Sequence, residues 1–144
     1  YMIDTYCGSG LFALTSAASF QYIYGIEISD LAIIAATNTA KNNNITNVEF
    51  HCGRSEAIFD SVQSVPAEHT VVIIDPPRKG CDDKFLQQLS AFNPKKIVYV
   101  SCDPATQARD AKVIVESGYN ILDITPFDLF PNTRHIENVM TFIR

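Results

Sequence analysis

The sequence predicts an α/β fold: a mostly parallel, doubly wound sheet of seven strands whose last strand is antiparallel to its neighbours. Short apolar runs typical of strands alternate along the chain with helix-length segments, and helical crossovers join parallel strands of one sheet. The final two apolar runs lack a helix-length spacer, which favours an antiparallel final strand. The 144 residues fit one domain, residues 1–144.

Each element follows from a local pattern. A continuous Thr-Val-Val-Ile-Ile run is typical of a buried parallel strand. The other predicted strands are apolar runs that are shorter or include polar residues. The predicted strands are residues 2–4, 22–28, 48–50, 70–74, 96–100, 119–125 and 139–143. A Ser or Asp cap, an Asn-Asn-Asn stop and a proline at a first helical position mark helix ends. The predicted helices are residues 11–20, 30–41, 56–62, 84–92 and 104–117.

Composition narrows the class of protein. The chain is 47% hydrophobic and 19% charged, as in globular proteins with a core, and no apolar run approaches the ~18 residues of a transmembrane helix. The four cysteines form no C-x-x-C pair, so we expect no metal site and an intracellular, reducing compartment. Cytoplasm, nucleus and mitochondrion are not distinguished. No signal peptide is visible, and we expect the chain to be part of a longer protein.

A glycine loop lies between the first predicted strand and the first helix. Gly8 and Gly10 permit tight backbone geometry, and with Ala13 they fit the fingerprint G-x-G-x-x-G/A. Glu27 closes the second strand, where a carboxylate can accept both ribose hydroxyl protons of a nucleoside. Together they favour an adenosine cofactor, NAD or S-adenosylmethionine, over a structural turn with a solvated glutamate.

Two polar segments directly follow predicted strands. Asp75 opens an Asp-Pro-Pro-Arg segment, at the edge of the sheet where open α/β folds bind ligands. Cys102 precedes Asp103, a candidate N-cap, and Pro104, a candidate first helical residue. The partial positive charge at a helix N-terminus favours the thiolate form of a cysteine beside it. The sequence therefore predicts a ligand-binding carboxylate and a reactive cysteine at one edge.

A third polar segment precedes the last strand. Because that strand is predicted to be antiparallel, its start lies at the carboxyl edge of the parallel strands, and Glu137 is carried toward Cys102. A nucleophile and a carboxylate base then converge. His135 is a rival base, and it is equally suited to orient a neighbour or to contact RNA.

Four ordered motifs spanning essentially the whole chain resemble the RNA uracil-5 methyltransferases, in the eukaryotic, fungal tRNA version. They are residues 6–10 (Tyr-Cys-Gly-Ser-Gly), 75–80 (Asp-Pro-Pro-Arg-Lys-Gly), 101–104 (Ser-Cys-Asp-Pro) and 130–137 (Phe-Pro-x-Thr-x-His-x-Glu). The resemblance implies a Rossmann-like class I methyltransferase fold and methylation of uridine carbon 5, in the T-loop of tRNA, through a covalent cysteine–uracil adduct. It makes residues 1–144 the catalytic domain, without the family's N-terminal RNA-binding region.

The resemblance also implies roles for individual residues. Cofactor contacts to S-adenosylmethionine are expected from Tyr6, Gly8, Gly10, Glu27 and Asp75. Cys102 is expected to be the nucleophile and Glu137 the base, with weaker RNA contacts from Arg78 and His135. The chain departs from the family at Asp103, where asparagine is common, and it lacks the upstream glutamine that binds the cofactor. Its net charge of −5 is unusual for RNA binding, so the basic surface is expected elsewhere in the full protein.

Three other functions compete with this one. An NAD-linked oxidoreductase explains the glycine loop and Glu27 but leaves the three later motifs without a role. An amino-group methyltransferase acting on adenine or cytosine commonly has an aromatic residue where this chain has Arg78, and needs no cysteine. A noncatalytic RNA-binding or folding module does not need Cys102 and Glu137.

Overall fold

A computed structural model describes residues 1–53, 59, 62 and 65–144. Seven strands in this part of the chain form one sheet in the order β3-β2-β1-β4-β5-β7-β6. They are β1 (Met2–Thr5), β2 (Ile23–Glu27), β3 (Val48–Cys52), β4 (Val71–Ile74), β5 (Lys96–Ser101), β6 (Asn120–Phe127) and β7 (Glu137–Ile143). β1 to β5 pair in parallel, whereas β7 runs antiparallel to both β5 and β6. The predicted sheet, with its antiparallel last strand, is confirmed.

Four α-helices are described: α1 (Leu11–Thr15), α2 (Asp30–Asn42), α3 (Asp83–Phe92) and α4 (Pro104–Glu116). Two predicted caps are confirmed: the Ser29 side chain accepts a hydrogen bond from Ala32 N, and Asp103 accepts from Ala105 N and Thr106 N. The helix predicted near residues 56–62 lies outside the described residues. No described helix has the length and hydropathy to cross a membrane.

The first helix is shorter than predicted. A single helix through Phe20 is wrong: α1 ends at Thr15, and a 3-10 turn follows at Ala17–Ser19. The side-chain amide of Asn47 donates to the carbonyls of Ala17 and Phe20, at 2.9 Å each. Because those carbonyls have a partner outside the helix, the chain can leave helical geometry without burying unpaired acceptors.

The main core lies between the sheet and helices α3 and α4, where Phe85, Leu89, Ile97 and Tyr99 are almost fully buried. A smaller cluster on the other face contains Met2, Ala13 and Ile23.

Two glycines make room for an aromatic ring beside the first loop. A Cβ on Gly25 would lie 2.5 Å from the Phe50 ring, and one on Gly10 would lie 2.8 Å from it. Gly10 also adopts φ +87°, which side chains rarely permit. Phe50 thus packs directly against β2 and the glycine loop, and so fixes the position of that loop.

Candidate active site at the carboxyl edge of the sheet

The four most important predicted site residues lie at one edge of the sheet. Glu27 is the last residue of β2, Asp75 follows β4 and Cys102 follows β5, so all three are at carboxyl ends of parallel strands. Glu137 is the first residue of β7 and starts at the same edge because β7 is antiparallel. The topology therefore brings together residues that are far apart in the sequence.

Backbone N–H groups of the glycine loop and of Ser29 bind the carboxylate at the end of β2. Gly8 N donates to Glu27 Oε2 at 3.1 Å, and Ser29 N donates to Glu27 Oε1 at 2.9 Å. Tyr6, at φ 62°, and Gly8, at φ 53°, both have left-handed backbone conformations. Glu27 is held in one orientation, and each of its oxygens has a further lone pair for a ligand.

A cleft of about 500 Å³ opens beside this loop. Its lining includes the predicted cofactor residues Tyr6, Glu27 and Asp75, together with Ile28 and Lys79. Gly8 and Gly10 shape the loop rather than line the cleft, and a Cβ on Gly8 would meet nothing within 4 Å. The volume suits a small organic ligand, and the carboxylate with an exposed apolar neighbour suits a nucleoside.

Two carboxyl groups near the cleft have perturbed acidity. Burial, with a smaller contribution from the negative charge of Glu137, raises the pKa of Asp75 to about 6. Burial raises the pKa of Asp4 to about 7; the hydrogen bond from Ala13 N, at 2.9 Å, acts against this shift, and the charge of Asp75 adds to it. Concentrated negative charge favours a ligand that carries a positive charge.

Asp4 was missed by sequence reasoning. It is fully buried in β1, and its Oδ1 has no hydrogen-bond partner among the described residues. The available signal was an acidic residue inside an apolar strand, because such a residue is buried only where it has a partner or a function.

Cys102 occupies a tightly held turn. Ser101 Oγ accepts from Asp103 N and donates to Asp103 O, both at 3.0 Å, while the Asp103 carboxylate caps α4. Cys102 is half-buried between these residues, beside the N-terminus of α4. Cys102 is therefore a partly exposed thiol in a fixed turn, accessible to a substrate.

The other cysteines have different surroundings. Burial raises the pKa of Cys7 to about 12, with the charges of Asp4 and Glu27 adding to it, and burial raises the pKa of Cys81 to about 12 as well. Both are therefore neutral thiols at physiological pH. Cys52 is exposed at the end of β3, in register with Glu27 of β2.

Strand register aligns Glu137 with Cys102. The pairing of β5 with β7 ends at Ser101 and Asn138, and continuing that antiparallel register by one residue would bring Cys102 opposite Glu137. His135 lies before β7 begins, where its backbone N–H donates to Thr133 Oγ1 at 3.2 Å. The register therefore favours Glu137 over His135 as the partner of Cys102.

A buried amide pair fixes the start of β7. Gln107 Nε2 donates to Tyr99 O at 2.9 Å and to Asn138 O at 3.1 Å, and Asn138 Nδ2 donates to Gln107 Oε1 at 2.6 Å. Both side chains are buried. Sequence reasoning missed Gln107 and also Asp110, another buried polar residue of α4. The signal was their spacing, because they share the buried face with Ala111 and Ile114.

No group of His, Cys, Asp or Glu side chains suited to a metal ion is found in the described ranges. Arg78 is exposed and does not line the cleft, although its neighbour Lys79 does.

Comparisons with known proteins agree with this geometry. The family model for tRNA (uracil-5-)-methyltransferases matches residues 1–144. The chain is 45% identical over 143 residues to an uncharacterized RNA methyltransferase of Staphylococcus epidermidis, and 45% identical over 148 residues to the tRNA (uracil(54)-C(5))-methyltransferase of Schizosaccharomyces pombe. These matches cover 99% and 100% of this chain but 31% and 28% of the relatives, so the chain spans less than a third of their length.

Solved structures show the same fold. Pyrococcus abyssi tRNA (uracil-54, C5)-methyltransferase in complex with S-adenosyl-L-homocysteine is 32% identical with a TM-score of 0.84, covering 99% of this chain and 34% of that chain. Magnesium protoporphyrin IX methyltransferase from Synechocystis PCC 6803 with bound SAM is 14% identical with a TM-score of 0.76, covering 99% and 69%. The fold is therefore that of Rossmann-like class I methyltransferases.

Proposed function

This chain belongs to the tRNA (uracil-5-)-methyltransferase family, and on that premise we propose that it is the catalytic domain of an enzyme that methylates carbon 5 of a uridine in tRNA. The observation that carries the proposal is the register of β5 and β7, which pairs Ser101 with Asn138 and so supports Cys102 and Glu137, the next residue on each side, as neighbours. A nucleophile and a base in separate side chains are what this methylation requires.

The cofactor in this proposal is S-adenosyl-L-methionine. The relative from Pyrococcus abyssi was solved with its demethylated form, and the cleft has the matching chemistry. Glu27 accepts the ribose hydroxyls, Tyr6 and Asp75 line the rest of the cleft, and the turns at Gly8 and Gly10 hold the loop in place. When bound, the cofactor supplies an electrophilic methyl group. The negative charge around Asp75 suits its cationic sulfonium and ammonium groups.

Cys102 activates the uracil ring. Its thiolate attacks carbon 6 and forms a C–S bond, while the electrons of the C5–C6 double bond move toward the carbonyl oxygen on carbon 4. Carbon 5 then becomes nucleophilic: the electrons return from the carbon 4 oxygen, and carbon 5 would take the methyl group of bound S-adenosylmethionine, whose sulfur–methyl bond breaks to leave S-adenosylhomocysteine. The Asp103 cap of α4 holds the turn that carries Cys102, the nucleophile that begins and ends this sequence.

Glu137 completes the reaction as a base. Its carboxylate removes the proton on carbon 5, the electrons of that C–H bond restore the C5–C6 double bond, and the C–S bond breaks to release Cys102 as a thiolate. The buried Gln107–Asn138 pair supports this role, because it fixes the residue next to Glu137.

RNA would reach the site with its target base out of the stack, as in other enzymes that act on bases. Arg78 and Lys79 are exposed beside the cleft, and His135 lies near the start of β7; we propose that they contact the RNA backbone. The net charge of −5 supports the proposal that most of the phosphate-binding surface belongs to other parts of the protein. The four free cysteines support an intracellular, reducing compartment.

The proposal is tested with RNA containing 5-fluorouridine, in which fluorine on carbon 5 cannot leave as a proton. The full-length protein, given S-adenosylmethionine, should form a stable RNA–protein adduct that mass spectrometry maps to Cys102. Cys102→Ala should abolish the adduct and all methyl transfer, whereas the control Cys52→Ala should behave as wild type. An adduct on Cys7 or Cys81, or normal turnover by Cys102→Ala, would refute the mechanism.

A further inference from the structure

The loop that follows β4 forms one wall of the cleft. Pro77, Lys79, Gly80 and Asp82 of this loop line the cleft, and Asp75 begins it. The loop is held from behind by α4. We propose that Arg109 and Asp110 of α4 are positioning residues that keep this wall in the arrangement that binds the cofactor, an inference that rests on the proposed function.

Asp110 is the buried anchor of the loop. Its side chain is 1% exposed, and its Oδ2 accepts from the backbone N–H of Cys81 at 2.8 Å and from the Tyr99 hydroxyl at 2.7 Å. A buried carboxylate with these donors joins the loop to β5 and to α4 at once. Burial and the charge of Asp110 both raise the pKa of Tyr99, so its hydroxyl stays a proton donor.

Arg109 extends the anchor toward the surface. Its Nε donates to Asp110 Oδ1 at 2.8 Å, and its Nη2 donates to the carbonyls of Lys79 at 3.0 Å and Cys81 at 3.2 Å. Only a guanidinium offers several donors in one rigid plane to reach a carboxylate and two carbonyls together. One turn earlier, Thr106 Oγ1 donates to Arg78 O at 3.0 Å. Backbone groups of three loop residues are therefore fixed by α4.

The loop sequence is adapted to this anchor at Gly80. Gly80 adopts φ +76°, and a Cβ there would lie 2.6 Å from both Arg109 Nη2 and Asp110 Oδ2. A side chain would therefore push the loop off α4. The glycine permits both the left-handed turn and the close approach.

The contacts of Arg109 and Asp110 with the loop indicate a role in shaping the cleft as well as in stability. Neither Arg109 nor Asp110 lines the cleft. Arg109 binds the backbone carbonyl of Lys79, which does line it, and Asp110 binds the backbone N–H of Cys81, which lies between the lining residues Gly80 and Asp82. The same helix begins at Pro104, two residues after Cys102. Through α4, the position of the cofactor wall is tied to the position of the proposed nucleophile.

Arg109→Met in the full-length protein tests the inference, with Lys112→Met as the matched control. Lys112 lies on the same helix, is 76% exposed, and its described ion pair is with Glu116 at 3.8 Å. If the loop is correctly placed only about a tenth of the time in the variant, binding of S-adenosylhomocysteine weakens about tenfold. The Cys81 amide hydrogen should exchange faster, while kcat at saturating cofactor stays close to wild type. Arg109→Lys should recover part of the affinity.

Two results separate failure of this inference from failure of the proposed function. If wild type binds S-adenosylhomocysteine and Arg109→Met binds it equally tightly, the positioning role is wrong, even if the variant melts at a lower temperature. If wild type binds no S-adenosylhomocysteine, the proposed function is wrong, and the role of Arg109 falls with it. An equal loss of affinity in Lys112→Met would show an effect of charge alone and would also overturn the inference.

Discussion

Replacing Gln107 with methionine nearly keeps the side-chain volume but removes three hydrogen bonds that join α4 to β5 and β7. At about 1 kcal/mol for each bond, the free energy of unfolding should fall by about 3 kcal/mol. Asn138→Leu removes only the bond between the two side chains and leaves Gln107 Oε1 buried without a donor, so it should cost about 1–2 kcal/mol.

The double variant separates the amide pair from general packing. With Gln107→Met and Asn138→Leu together, two apolar side chains face each other and no side-chain amide is left unpaired. The cost should therefore be smaller than the sum of the single costs by about 1–2 kcal/mol. Urea denaturation of the 144-residue chain measures all four free energies. Additive single costs would show that the two amides do not act as a pair.

Gln107→Met should also slow the proton removal that we assign to Glu137. Asn138 adjoins Glu137, so a displaced Asn138 moves the base, and misplacement of a reacting group by about 1 Å costs up to about 100-fold in rate. Gln107→Met should therefore lower kcat by roughly 10- to 100-fold, with unchanged affinity for S-adenosylhomocysteine. Weakened affinity for S-adenosylhomocysteine with a normal kcat would contradict the reasoning. That result is expected when the cleft wall is displaced, not when the base is displaced.

Three further changes test single groups. Glu137→Gln should allow methylation but block proton removal, so a methylated RNA–protein species should accumulate on denaturing gels; accumulation in His135→Ala instead would make the histidine the base. Glu27→Ala should weaken S-adenosylhomocysteine binding by about 1–3 kcal/mol in calorimetry, and unchanged affinity would remove Glu27 from the site. Because burial raises the pKa of Asp4 from 3.8 to about 7, the stability it contributes is complete below 3.8 and is lost as pH rises through about 7. That loss approaches about 4 kcal/mol, and urea denaturation of Asp4→Asn from about pH 4 to 8 should show a flatter profile; an unchanged slope would show that Asp4 is not responsible.

The sheet could be predicted because its signals are local. Apolar runs separated by helix-length segments give the strand count, and the missing spacer before β7 gives its direction. The gathering of Glu27, Asp75, Cys102 and Glu137 followed from topology alone, since carboxyl ends of parallel strands share one edge. Their roles in catalysis stay predictions.

Other features depended on partners that no local pattern reveals. The early end of α1 depends on Asn47, which lies about thirty residues away in the chain. The apolar pattern of the helix itself gives no sign of this contact. Asp4 and Asp110 look like surface residues by type, and their burial depends on donors such as Ala13 N and Cys81 N that only the folded chain supplies. The sequence shows that polar residues share a face with buried apolar ones. It does not show which groups bind them.

The position of β7 in the sheet has a consequence for synthesis on the ribosome. β7 follows β6 in the chain but lies between β5 and β6, so neither neighbour has its final pairing until β7 inserts. A nascent chain that has emerged only through β6 exposes the open edge of β5, and such edges bind other strands or chaperones. At that stage Cys102 has no Glu137 opposite it. Insertion of β7 therefore closes the sheet and completes the proposed catalytic pair in one step, so an unfinished chain could not complete turnover on RNA.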